Sequence, residues 1–118
     1  MMGVAEILGP ALGMLVDGRA YPVVLPQDLK SWPAIRFSSY AVPVSTSCGD
    51  SDLDDHRLQI DVYGPDFDEV DALGAKDGPV CTAIEAAFES WERISIEQGF
   101  EEDGRLFRCL VVYQVAAP

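Results

Sequence analysis

At 118 residues, 48% apolar and 24% charged, the chain has material for one small domain, which would bury roughly 65% of the surface its unfolded form exposes. Eight Lys and Arg against twenty Asp and Glu leave a formal charge of −12, which repels nucleic acid phosphates and excludes sequence-reading DNA or RNA binding. Cys48, Cys81 and Cys109 are odd in number, far apart and without a CxxC pair, a pattern that suits reduced thiols and neither a disulfide framework nor a zinc site.

Val4, Ile7, Leu8, Ala11, Leu12, Leu15 and Val16 recur at helical spacing and predict an amino-terminal helix. Pro10 would open a second helical piece, where its missing N–H costs little, and Asp17-Gly18 would close it. The stretch carries Glu6 and no Lys or Arg, so neither a secretory signal nor a spanning helix fits, and synthesis in the cytosol is expected. Arg19 to Leu25 reads as a short extended segment at a sheet edge, with Tyr21 held out of helical geometry by Pro22. The following PQDLKSWP is a surface loop whose Trp32 either lids one end of the core or meets a partner.

Ala34 to Val44 predicts a strand, with Pro43 marking an edge or its end. STSCGDSDLDD, small and acidic without period, predicts an extended loop. From Arg57 the chain alternates: Leu58, Ile60 and Val62 toward a core, Arg57, Gln59, Asp61 and Tyr63 toward water. Gly64-Pro65 ends that strand, and Asp66 with Glu69 forms a capping box. Phe67, Val70, Leu73, Cys81, Ile84 and Phe88 make the stripe of the helical stretch that follows, with a kink or break at Gly78-Pro79. Ile94 and Ile96 mark another strand, and Leu106 to Val115 a second strong one, joined through the turn dipeptide Asp103-Gly104. The class is α+β: residues 1–118 as one domain, with a mostly antiparallel sheet of four to five strands against an N-terminal helix and a kinked central helix.

No constellation for catalysis is legible. Asp50, Asp52, Asp54 and Asp55 beside His56 have the alternation that opens a calcium loop, with Asp61 at the closing position. The sixth place, which needs glycine for its sharp turn, is Asp55, and the last places fall in a strand. A solvated acidic loop with at most weak divalent binding is the reading, with no metal or cofactor assigned. His56 shares its strand side with Leu58 and Ile60 and reads as a partly buried structural residue. Ser, Cys and His occur without a GxSxG elbow, and the glycines are scattered, so neither a nucleophile nor a phosphate cradle is indicated.

The layout LGPALGMLVDGRAYPVVLPQ, then DDHRLQIDVYGPDFDEVDALG, then RLFRCLVVYQV resembles the tail terminator, or tail completion, proteins of long-tailed phages and prophages. The similarity runs over nearly the whole chain. It implies a structural virion protein rather than an enzyme, a homo-hexameric ring that caps the tail tube, and partners in the tail tube protein and the head-tail connector, with DNA passing through unread and no membrane. It places the protein in the virion tail, assembled in the bacterial cytoplasm. The acidic loop, with Cys48, Asp50, Asp52, Asp54 and Asp55, is the expected partner-binding surface, and Arg19, Arg57 and Trp32 the expected inter-subunit contacts. Another head-tail joining component, or a small monomeric ligand-binding or hydrolytic domain of prophage origin, is the alternative.

Overall fold

The computed structural model describes residues 3–42 and 54–117. In chain order the elements are α1 (Val4–Gly13), β1 (Ala20–Pro22), β2 (Ala34–Val42), β3 (Asp54–Gly64), α2 (Phe67–Gly74), α3 (Pro79–Ala87), β4 (Trp91–Glu101) and β5 (Leu106–Ala117). The five strands form one sheet in the order β1-β2-β3-β5-β4. Every neighbouring pair is antiparallel except β1–β2. The fold is the expected α+β arrangement.

All three helices cover one face of the sheet. Register sets Phe37 of β2 opposite Ile60 of β3, and Ile60 opposite Val111 of β5, so the apolar halves of the alternation share one side. Leu8 and Leu12 of α1, Val70 of α2, and Val80, Cys81 and Ile84 of α3 complete the core with them. Each such side chain, fully buried, contributes roughly 1.5–3 kcal/mol. Among the described residues no helix lies on the other sheet face.

Several local expectations are corrected. Helix α1 runs unbroken from Val4 to Gly13 with Pro10 inside it, so proline does not start a second piece; the helix has packing enough to lose that one hydrogen bond. It ends earlier than the apolar period suggests. Gly18, at φ 84°, donates its N–H to the Gly13 carbonyl at 2.8 Å and ties off the turn that follows. The kink or break expected at Gly78-Pro79 is present, as a full break: α2 stops at Gly74 and α3 starts with Pro79 as its first residue. A side chain at Gly78 would place its Cβ 2.7 Å from the Ala72 carbonyl, so only glycine fits the crossing.

The Asp66 cap holds, its Oδ1 accepting from the N–H groups of Asp68 at 3.0 Å and Glu69 at 3.4 Å. Strand β3 begins at Asp54, so Asp54 and Asp55, expected in the loop, are paired strand residues, and His56 is in the strand as expected. The β4–β5 hairpin turns through Glu102 to Arg105, and the left-handed residue in it is Arg105 at φ 52°, not Gly104. Strand β4 slips register between Arg93 and Ser95, which is why Ile94 and Ile96 do not share a face as simple alternation requires.

Candidate functional site

Among the described residues, polar side chains converge at two places, one on each face of the sheet. On the helix-free face stands Asp61, expected toward water and in fact 4% exposed. Its Oδ2 accepts from Arg36 Nη2 at 2.8 Å and its Oδ1 from Arg108 Nε at 2.7 Å. Both arginines come from flanking strands, Arg36 directly across from Asp61 on β2 and Arg108 two positions along from its β5 partner Leu110, on the same face. Their stems roof the carboxylate where a helix would otherwise do so. Arg36 also lies over the Tyr63 ring, 5.6 Å from its centroid, and burial, with the Asp61 charge second, pushes the Tyr63 hydroxyl above its ordinary pKa. Arg108 reaches on to Glu101 at 3.6 Å. The signal missing from the sequence is register: nothing in one strand says which cations its neighbours will bring.

Under the helices, Tyr113 is fully buried. Its hydroxyl donates to Glu85 Oε2 at 2.5 Å and accepts from Arg93 Nε at 3.0 Å. Arg93 Nη2 also donates to Glu85 at 2.8 Å and to Asp77 at 3.2 Å. The Tyr113 hydrogen bond, and then Arg93, hold the Glu85 carboxyl below its ordinary range. Burial pushes the Tyr113 hydroxyl well above its ordinary value. A tyrosine so held keeps its proton near neutrality and a carboxylate so held keeps its charge, so neither offers a base or acid poised for transfer. The cluster's chemistry is cohesive: it fastens α3 and its approach to β4 and β5. Cys81 and Cys109 are free and buried, and burial raises the Cys109 thiol to about 11, which keeps it from acting as a thiolate nucleophile.

The residues expected from sequence to make contacts are scattered. Cys48, Asp50 and Asp52 lie outside the described residues. Asp54 and Asp55 open β3, in register with Ala117 and Ala116 of β5. Arg19 donates from Nε to the Pro33 carbonyl at 2.8 Å, and Arg57 from Nη2 to Gln114 at 2.9 Å. Trp32 is half-buried beside its cis bond to Pro33. Among the described residues no three His, Cys, Asp or Glu side chains gather as a metal would require, and no helix is long and apolar enough to cross a membrane.

What the sequence did not point to is a pair of apolar surface features. Val23 and Val24, just past β1, are 64% and 68% exposed. An apolar groove of about 660 Å³ runs between α1 and α3, lined by Ala11, Met14, Leu15, Pro79, Ala83 and Ala86 among others.

The family described as tail completion protein gp17 matches residues 7–117. No curated protein matches the chain. Among solved structures, a chain from the virion of a native gene transfer agent (GTA) particle aligns at a TM-score of 0.56 with 11% sequence identity, over 96% of this chain and 85% of that one. At that identity the likeness is one of fold.

Proposed function

This chain belongs to the tail completion protein gp17 family, a structural part of the virion tail, and from that premise we propose that it forms a hexameric ring. The ring caps the tail tube, ends its polymerisation and makes the interface to the head connector. The observation that carries this reading is the family match from residue 7 to residue 117, which spans every sheet strand and all but the first turn of α1. A single small α+β unit suits the role, because identical subunits joined head to tail close into a ring when the rotation between them divides a circle. Such a ring stops a polymer if one face fits the last tube layer and the opposite face offers nothing to the next.

Charge fits the same role. A net −12 gives walls that phosphates slide past instead of binding, so DNA crosses the joint without being held. No catalysis is part of the proposal, since both polar clusters are spent on holding strands and helices together. The segment Cys48 to Asp55 engages the tube or the connector, with Trp32 beside a subunit boundary.

Negative-stain microscopy of the purified protein, alone and mixed with its tail tube protein, tests the reading. Six-fold rings that seat on tube ends are expected. A persistent monomer, together with tails of normal length in phage lacking the protein, would overturn it. Deleting Cys48 to Leu53 should leave the ring intact and abolish tail joining; loss of the fold on that deletion would count against the assigned partner surface.

A further inference from the structure

Val23 is a β-branched residue at φ 67°, a left-handed conformation that such side chains rarely adopt. The turn is pinned on both sides: Val23 donates its N–H to the Phe37 carbonyl at 2.8 Å, and Val24 donates to Pro22 at 2.7 Å, closing a three-residue turn. A γ-turn of this hand is rare and strained. Glycine would sit there without strain and asparagine with little. Instead the position holds valine, followed by a second valine, and both point two thirds of their surface into water. Strain held rigidly in a projecting apolar turn marks a contact surface.

The same chain also carries an apolar groove. The α1–α3 groove opens on the outer side of the helical layer, with Met14 at its rim 87% exposed. Knob and groove are separate features, one beyond the edge strand β1 and the other above the helices. A patch that complements a different patch on its twin makes a head-to-tail contact, the kind that builds rings.

Electrostatics selects the second copy as occupant. Residues 1–49 contain three acids, Glu6, Asp17 and Asp28, and three cations, Arg19, Lys30 and Arg36, so the whole charge of −12 resides on residues 50–118. The knob belongs to the neutral segment, as does the α1 wall of the groove. Among the described residues the groove has one charged lining residue, Asp77, and Arg93, which it shares with Glu85, lies 3.2 Å from it. Copies meeting here bring together the least like charge that this acidic molecule allows.

We propose that the Val23–Val24 turn of one copy seats in the α1–α3 groove of the next, and that this repeated contact closes the ring; the inference rests on the ring reading above. Sedimentation of the wild type, Val24→Asp, Ala86→Asp and the pair Val24→Asp with Ala86→Lys tests it, with thermal melts to confirm that each variant is folded. Each single Asp variant should shift the ring to monomer while keeping one cooperative melt, lowered only by the loss of association, and the Asp–Lys pair should restore ring mass. In a Cys48→Ser background, Val24→Cys with Ala86→Cys should give, on oxidation, a ladder of cross-linked chains ending at the ring size. A ring that survives Val24→Asp, or a ladder that stops at two chains, overturns this contact alone. Intact Val24→Asp rings that no longer bind tube protein would also overturn it, by giving the knob to another partner. A wild-type chain that stays monomeric overturns the ring reading and this contact with it.

Discussion

Asp61 shows how one residue can hold a sheet face that no helix covers. It is buried, carries a charge and is satisfied by two guanidinium groups from separate strands, so β2, β3 and β5 are cross-tied at one point. Removing one member of such a set leaves the others desolvated and unpaired. Because Arg36 and Arg108 keep about a third of their side chains in water, Asp61→Ala should lose about 3 kcal/mol, the low end for a broken buried pair, read by urea unfolding. On the opposite face, Glu85 has its folded pKa held below the ordinary 4.5 by Tyr113 and Arg93. A carboxyl depressed in this way adds stability above its unfolded pKa and loses it as pH falls through the lower folded value. Melting temperatures taken from pH 7 down to pH 3 should therefore fall less steeply for Glu85→Gln than for the wild type, and the variant should be less stable at neutrality.

Among the elements, the contact of α2 with β5 depends on the absence of a side chain. A Cβ at Gly74 would collide with the Sγ of Cys109, whereas one at Gly99 meets nothing within 4 Å. Gly74→Ala should destabilise by about 1–3 kcal/mol, as overpacking does, and Gly99→Ala should leave the melt nearly unchanged. The sequence made most of these elements legible, because Leu58, Ile60 and Val62 keep a strict period and Asp66 caps with its side chain. What it concealed depends on neighbours. The polar phase of β3 looked wet because Asp61 cannot announce the arginines that cover it, and the slip in β4 scrambles the alternation of Ile94 and Ile96. The strand order, which seats β5 between β3 and β4, is invisible along the chain. So were Val23–Val24 and its groove: two valines read as an ordinary strand end until the backbone shows one of them left-handed. Of the contact residues expected from sequence, Arg19 and Arg57 hydrogen-bond to Pro33 and Gln114 of their own chain, partners that register and loop placement supply and the sequence does not name.

For the whole molecule the uneven charge is the governing fact. Residues 1–49 are neutral and residues 50–118 hold the full −12, so assembly is opposed by repulsion between the acidic parts of adjacent copies wherever the contact lies. Screening should relieve that opposition. Raising salt from 0.01 M to 0.15 M cuts the Debye length from about 30 Å to about 8 Å, and the assembled fraction seen by sedimentation should rise across that range. A fraction that falls with salt would mean that attractive ion pairs dominate the contact. Acidification toward the pI of about 4.1 works in the same direction as salt until the Glu85 clamp begins to fail.

Sealing Cys81 and Cys109 inside the fold turns them into a built-in stopwatch. In a Cys48→Ser chain, an alkylating reagent has no target until the helices part from the strands, so the labelling rate measures how often that parting happens. Locked in a particle, the same chain should be marked far more slowly than when free, which would let assembly be followed by mass alone, without any view of shape.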